Sequence, residues 1–222
     1  MKSFIMDLID RIKRNYYLWS LYHVFMRFIK IDEGGEIDNR GCIRIRKDIR
    51  GKNNAISVGV GSRIHNAQIV INGDNNRLII GDKCIIGPDC SFRLEGNNIT
   101  ISIGDESTFT RNCNFTAQEN NVSIEIGMDC MFSNSIIVRT SDSHPIYNQT
   151  GERINSPRSV KIGNHVWVAP QTTIMKGVHI GDNVIIGSMS LVTKDIESNS
   201  LCVGQPARII KKDIRWTREE LW

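Results

Sequence analysis

Aromatic residues and prolines are scarce in this sequence. Of its 222 residues, 7% are aromatic and 5 are Pro, whereas 35 are Ile and 20 are Asn. A β-branched residue such as Ile suits a pleated, half-buried surface, and Asn tolerates the left-handed backbone of tight corners. The composition therefore predicts many short strands joined by turns and argues against a helical bundle.

The six cysteines lack the spacing of a metal site. No two of them form a Cys-x-x-Cys pair, so neither a zinc site nor a dense disulfide framework is indicated. Such cysteines fit a reducing compartment, and we expect the protein to be cytoplasmic. The residues are Cys42, Cys84, Cys90, Cys113, Cys130 and Cys202.

A strong charge and long apolar runs are also missing. The formal net charge of +4 does not call for a nucleic-acid partner. Charged residues interrupt residues 1–31 before any run of about 20 apolar residues, so this segment is not a transmembrane anchor. Its apolar positions recur at helical spacing and predict an N-terminal helical segment. That segment could cap the fold or contact another subunit, or it could rest on a membrane through its Lys and Arg side chains.

An apolar residue recurs every six positions through most of the chain. This spacing fits neither an α-helix nor the period of two of a simple strand. It predicts a β-solenoid in which each coil has three faces and turns one apolar side chain of each face inward. Cys84 and Cys90 stand one hexad apart and are expected to be small packing residues. The longest uninterrupted series is Ile162, Val168, Ile174, Ile180, Ile186 and Val192.

A longer period overlies the hexads in the first half of the chain. An Asn-Asn pair precedes each of four blocks, and the second members are 22, 22 and 23 residues apart. Three hexads make 18 residues, so each early coil is expected to bulge by four or five residues at a corner that the Asn pairs mark. Those second members are Asn54, Asn76, Asn98 and Asn121.

The hexads cease between residues 139 and 159. Inward apolar positions give way there to Ser, Asp, Asn, Thr, Pro and Gly. This segment is predicted to be a long loop that leaves the solenoid, and long ordered loops on repeat scaffolds often hold functional residues.

Four segments in this order resemble the left-handed β-helix acyltransferases. They are Ser143-His144-Pro145, VKIGNHVWVAP, IGDNVIIGSMSLVTKDI and VGQPARII. They are most similar to the sugar O-acetyltransferases of the maltose/galactoside type and of the type that modifies capsule, O-antigen and polysialic acid. The resemblance covers roughly residues 53–212. It implies a left-handed parallel β-helix, acetyl-CoA as acyl donor, a carbohydrate acceptor, no metal, and a homotrimer with active sites between subunits.

The predicted fold class is therefore all-β. Residues 1–31 form the N-terminal helical segment, and residues 32–52 make a transition to the solenoid. Residues 53–204 form the β-helix with its active-site loop at 139–159. Residues 205–222 are expected to form a C-terminal tail with a short helix.

The resemblance makes His144 the catalytic base. A sugar hydroxyl is a poor nucleophile until its proton is removed, and imidazole titrates near working pH. The alternative is a loop histidine bonded to backbone. Asp142 either orients His144 or is a simple turn residue. Trp167 is assigned to the thioester end of the donor, although it could equally be an apolar contact between coils.

The resemblance also assigns the substrate contacts. Asn112 or Asn114 would contact the acceptor sugar, the alternative being corner residues in left-handed conformation. The remaining donor contacts are expected among exposed residues of the later coils, with two cations near the C-terminus facing the CoA phosphates. These donor residues are Trp167, Ala169, Ser188, Thr193, Lys194, Arg208 and Lys211.

Other functions stay open at this point. An N-acetyltransferase of a nucleotide-linked amino sugar and a non-catalytic solenoid scaffold both keep the hexads. The γ-class carbonic anhydrases share the solenoid but bind a metal through three His, two of them separated by four residues. Here Gln149 stands five residues after His144, so metal catalysis has little support. The other histidines are interpreted as surface residues, namely His65, His165 and His179.

Overall fold

The computed structural model describes residues 36–221. The predicted N-terminal helical segment at 1–31 lies outside these residues. Within them the chain forms 21 strands and no helix, and it winds as a parallel β-solenoid with three faces. The solenoid predicted from the hexads is confirmed.

The first face is a sheet of seven parallel strands, one from each successive coil. Its strands are β1 (Glu36–Asn39), β3 (Ala55–Val58), β5 (Arg77–Ile80), β8 (Thr100–Ile103), β11 (Ser123–Ile126), β14 (Val160–Ile162) and β17 (His179–Ile180).

The second and third faces are continuous through two long strands, β2 (Cys42–Arg50) and β4 (Arg63–Asn72), which turn the corner between them. In β2 a register shift between Arg44 and Ile45 marks this corner. The second face continues with β6 (Ile85–Ile86), β9 (Thr108–Arg111), β12 (Met131–Asn134), β15 (Trp167–Val168), β18 (Ile185–Ile186) and β20 (Ser200–Gly204). The third face continues with β7 (Ser91–Glu95), β10 (Asn114–Gln118), β13 (Ile137–Arg139), β16 (Thr173–Ile174) and β19 (Leu191–Val192). The last strand, β21 (Ala207–Lys212), is antiparallel to β20.

Inward side chains of successive coils stack into one continuous core. All six residues of the predicted hexad series are buried, as are Cys84 and Cys90. Four phenylalanines fill the middle coils: Phe92 stacks on Phe115 with ring centroids 5.2 Å apart, and Phe109 lies 4.7 Å from Phe132. Burial raises the pKa of Cys130 to about 11, so this thiol stays protonated and donates to the carbonyl of Gly163.

The Asn pairs mark a corner, but with a slip that the spacing did not predict. The residues that occupy the same left-handed corner position are Asn53, Asn75, Asn98 and Asn121, with φ between 55° and 59°. Asn54 and Asn76 therefore point inward and are buried, while Ile99 and Val122 take that place in the next two coils. The repeat is 22, 23 and 23 residues, because the third coil contains one more corner residue.

Both ends of the described chain differ from the predicted plan. Pairing extends into residues 36–50, since β1 and β2 join the first coil. The predicted short C-terminal helix is wrong: residues 207–212 form β21, and residues 213–221 form neither helix nor strand. The tail makes hydrogen bonds to the solenoid instead of the internal bonds of a helix. Within residues 36–221 no helix has the length and apolar character to cross a membrane.

We expect Asn76→Ala to destabilise the solenoid. Its Nδ2 donates to the carbonyl of Gly96, and its Oδ1 accepts from the N–H of Ile99, both at 2.9 Å. Removing the amide leaves two buried backbone groups without partners, which costs about 2 to 4 kcal/mol in the free energy of unfolding. Urea denaturation measures this loss. Asn98→Gly is the matched control, because Asn98 is exposed and Gly accepts its left-handed backbone; equal losses in both variants would contradict the prediction.

Candidate active site

An Arg–Glu pair fastens the loop of residues 139–159 to the end of the third face. Arg153 donates two hydrogen bonds to the carboxylate of Glu119, at 2.6 and 2.8 Å. Ser141 donates a third, at 2.6 Å. The hydrogen bonds from Arg153 hold the pKa of Glu119 below its usual range. A two-pronged guanidinium–carboxylate contact is directional, so it fixes where the returning half of the loop lies.

Asn155 holds the backbone on both sides of His144. Its Nδ2 donates to the carbonyl of His144 at 2.8 Å and to Asp142 at 2.9 Å. Its Oδ1 accepts from the N–H of Ile146 at 2.8 Å and from Arg153 at 3.2 Å. The buried side-chain amide thus uses both N–H groups and both lone pairs of its oxygen. These bonds replace the ladder that a strand would give to residues 142–146.

Asp142 contacts Lys176 and Asn155. Its Oδ2 accepts from the Lys176 ammonium at 2.5 Å, and the same ammonium donates to the carbonyl of Asn155 at 3.0 Å. The hydrogen bond from Lys176, followed by that from Asn155, lowers the pKa of Asp142. No hydrogen bond joins this carboxylate to the imidazole of His144 in the described chain. Asp142 is therefore connected to the backbone of His144 indirectly, through Asn155.

The imidazole of His144 is exposed and forms no hydrogen bond with residues 36–221. The residue before it, Ser143, has a left-handed φ of 68°. The Ser143 hydroxyl donates to Gln118 at 2.7 Å and accepts from Arg139 at 2.9 Å. The backbone at His144 is thus fixed while both ring nitrogens stay available. The alternative interpretation, an imidazole bonded to backbone, does not describe this structure.

The residues predicted from the sequence lie on two separate edges. The first edge, at the end of the third face, carries His144 and Asp142, and the strand register places Thr193 and Lys194 on the same edge, two coils beyond β13. The second edge is the corner between the second and third faces, with Ala169 and Ser188. The third face lies between the two edges.

The two candidate acceptor residues differ in environment. Asn112 lies at the corner of the second edge with φ of 52°, and its amide donates to Ser135 at 3.2 Å. It has the left-handed conformation of a corner residue. Asn114 points outward at the start of β10 and accepts a hydrogen bond from Ser91 at 2.6 Å.

The outward side of the second face is largely apolar. The register between coils aligns one outward residue from each strand, and Arg208 and Lys211 lie exposed on β21 at the far end of this face. Trp167 is 36% exposed in the middle of the row. The aligned residues are Ile85, Thr108, Met131, Trp167, Ile185 and Leu201.

The C-terminal tail lies beside this face, at the corner between the first and second faces. Trp216 is buried and stacks on His165, with ring centroids 3.9 Å apart and planes 9° apart. His165 lies 2.6 Å from Asp129 and 3.0 Å from the carbonyl of Trp216. His165 is half-buried, with 31% of its side chain exposed, and both ring nitrogens have partners. His65 and His179 are exposed as expected.

Several residues around the loop of His144 and around Trp216 were not predicted from the sequence. Asn155, Lys176 and the Glu119–Arg153 pair gave no local signal, because their roles depend on which coils meet at the end of the third face. Trp216 did give a local signal, because an aromatic residue in the polar segment RWTREE indicates a segment that packs against the rest of the protein.

Two open grooves lie along the first face, with volumes of about 430 and 550 Å³. They share His179 and Ser198, and no predicted site residue lines either one. Nor does any group of three or more His, Cys, Asp or Glu in residues 36–221 have the arrangement of a metal site.

Comparisons with known proteins agree with the hexads and the loop. The sequence pattern described as "Bacterial transferase hexapeptide (six repeats)" matches residues 159–194. The chain is 36% identical over 178 residues to the polysialic acid O-acetyltransferase of Neisseria meningitidis, covering 76% of this chain and 78% of that protein. It is 42% identical over 72 residues to the galactoside O-acetyltransferase of Escherichia coli (strain K12), covering 31% and 34%.

Solved structures give the same result. The polysialic acid O-acetyltransferase OatWY aligns with a TM-score of 0.72 at 30% identity, covering 86% of this chain and 90% of that one. The polysialic-acid-specific acetyltransferase NeuO aligns with a TM-score of 0.54 at 29% identity, covering 86% and 89%.

The chain belongs to the hexapeptide-repeat transferases. Coverage of the relatives is uneven, because the matched part spans 30% of the polysialic acid O-acetyltransferase of Escherichia coli O1:K1 / APEC and 34% of the galactoside enzyme. The resemblance recognised in the sequence is confirmed at the level of the family.

We expect Asn155→Ala to release the backbone around His144. The N–H of Ile146 loses its acceptor and the carbonyl of His144 loses its donor. Hydrogen exchange at Ile146 should become faster while exchange in the third-face strands stays unchanged. Asn148→Ala is the control in the same loop, because its contacts serve Thr150 and Glu152. Unchanged exchange at Ile146 in Asn155→Ala would show that Asn155 does not hold this backbone.

We expect Lys176→Met to remove a pH-dependent contribution to stability. The pKa of Asp142 is lowered in the folded chain, so the ion pair stabilises the protein above the unfolded-state pKa of about 3.9. That contribution disappears as pH falls through the lower folded-state pKa. The difference in Tm between the wild type and Lys176→Met should therefore be largest near pH 7 and shrink below about pH 4.

Thermal unfolding from pH 7 down to pH 3 measures this difference. The exposed Lys161→Met is the control and should show no comparable pH dependence. A Tm difference for Lys176→Met that stays constant over this range would show that the lost interaction is not the ion pair.

Proposed function

We propose that the protein is an acetyl-CoA-dependent O-acetyltransferase that acts on a carbohydrate hydroxyl. One observation carries the proposal: a loop histidine with a free imidazole is held by a fully bonded Asn155, in a chain similar along 178 residues to a polysialic acid O-acetyltransferase. Such a histidine can accept a proton from an incoming alcohol without first breaking a bond.

His144 is the general base of the reaction. Its imidazole removes the proton of a sugar hydroxyl, and the oxygen attacks the carbonyl carbon of the acetyl thioester. The new C–O bond forms as the C–S bond breaks, and the imidazolium returns the proton to the leaving thiolate. Backbone N–H groups stabilise the oxyanion that develops between these events. The transfer is direct, and no acyl-enzyme forms.

The second face supplies the donor site in this proposal. Its apolar outward row suits the pantetheine arm, with Trp167 at the thioester end and Ala169 and Ser188 beside it. Arg208 and Lys211 suit the phosphates, because guanidinium and ammonium groups pair with phosphate oxygens. Thr193 and Lys194 lie on the other edge, with His144, and would reach a donor held by a neighbouring copy.

We propose a homotrimer whose active sites lie between subunits. Within one chain the third face lies between the loop of His144 and the strand of Trp167. If the loop edge of one copy meets the second face of another, the base and the thioester come together. The acceptor contact, Asn112 or Asn114, then lies at the same junction. Asn114 is the stronger candidate, because it lies on a flat outward surface while Asn112 has the backbone of a corner.

The acceptor is proposed to be a bacterial surface polysaccharide or its precursor. Two of the relatives are named for polysialic acid and one for galactosides. We place the reaction in the cytoplasm, where acetyl-CoA is available and where the six free cysteines stay reduced. A screen of candidate glycans with labelled acetyl-CoA identifies the acceptor and the hydroxyl.

We expect His144→Ala to lower kcat for acetyl transfer by about 10²- to 10⁴-fold, the contribution of a positioned base. Stabilisation of the variant by CoA in a thermal-shift assay should be unchanged, because His144 does not hold the donor. His179→Ala is the matched control, since His179 is equally exposed on the first face. A wild-type rate in His144→Ala would rule out this histidine as the base.

A further inference from the structure

The tail residues 213–218, here called the C-terminal strap, run back along the solenoid from its last coil. The N–H of Ile214 donates to the carbonyl of Asn199, and Asn183 donates to the carbonyl of Ile214 at 2.7 Å. Arg218 donates to Asp129 at 2.6 Å and to the carbonyl of Cys130 at 2.9 Å. The strap is therefore attached to successive coils at one corner, alongside the second face.

Trp216 is the best anchored residue of the strap. Its indole N–H donates to the carbonyl of His165 at 2.9 Å, and its own carbonyl faces Nε2 of His165 at 3.0 Å. Asp129 accepts from Arg218 with one oxygen and faces Nδ1 of His165 with the other. Burial alone would raise the pKa of Asp129, but hydrogen bonds from Arg218 and His165 outweigh it and lower this pKa. Two hydrogen bonds and a stacked ring thus fix the position of the indole.

This indole lies against Trp167. The two ring centroids are 5.9 Å apart and the planes are tilted by 48°, within the range of an attractive aromatic pair. Along the face Trp167 has Met131 on one side and Ile185 on the other. Trp216 supports it from the corner side, so the strap completes the surroundings of a side chain that is one-third exposed.

We propose that Trp216 is a positioning residue of the donor site, which holds the Trp167 indole in the orientation that receives the thioester end of the acyl donor. This inference rests on the proposed function. In it, the tail is a structural part of the active site and not a loose end of the chain. Trp216 itself is buried and does not touch the substrate.

The test measures CoA binding and kinetics of Trp216→Ala in the full chain. Loss of an aromatic contact of this kind should raise Kd for CoA and KM for acetyl-CoA by about three- to tenfold. The KM for the acceptor and kcat at saturating donor should stay close to wild type. Trp216→Phe keeps a ring beside Trp167 and should recover most of the affinity.

Arg215→Ala is the matched control, because Arg215 is exposed on the same strap. Unchanged CoA affinity in a folded Trp216→Ala, or an equal loss in Arg215→Ala, would overturn the positioning role while leaving the proposed function intact. A loss of kcat with no change in donor KM would overturn it as well. A wild-type chain that binds no CoA would overturn the proposed function and this inference together.

Discussion

The register between neighbouring coils is the constraint on which the rest of the structure depends. Each strand before β21 pairs in parallel with its equivalents one coil away, so one inserted residue inside a strand would turn every following side chain to the other side. Additional residues are therefore confined to corners. The Asn pairs show this confinement directly: Asn76 points inward in one coil, and one more corner residue puts Ile99 in the same place in the next. The long loop and the C-terminal strap are larger additions, and they too lie outside the paired strands.

Because the loop leaves the ladder, side chains must supply what strand pairing supplies elsewhere. Glu119 follows β10 and Lys176 follows β16, the strands on either side of β13, from which the loop departs, and the stacking of coils sets their separation. They bind Arg153 and Asp142 on the two arms of the loop, and Asn155 joins the arms. The loop is thus fixed by groups that the solenoid itself positions, which is how an exposed imidazole can be held without a hydrogen bond to its ring within the described residues.

The sequence carries the fold more fully than it carries the site. A six-residue apolar period predicts three faces and an inward column, and it stops at residues 139–159, just before β14. The sequence also points to His144, but through the Ser-His-Pro motif and not through the spacing of apolar residues. The partners of that loop could not be predicted, because nothing in the sequence around Lys176 indicates a contact with Asp142. The two residues meet only when the coils stack. The C-terminal tail is not helical because Ile214, Trp216 and Arg218 bond to the solenoid, whose surface exists only once the coils are stacked.

The loop of His144 and the C-terminal strap are connected through the same coil. Glu119, which binds the loop, and Asp129, which binds the strap, stand ten residues apart on either side of β11. Between them lie the inward residues of one stiff, close-packed coil, whose neighbours include Phe115 and Phe132. The loop of His144 and the strap are therefore attached to one close-packed coil. In the proposed homotrimer, where the loop edge of one copy meets the second face of another, this common attachment means that the same interface serves every active site.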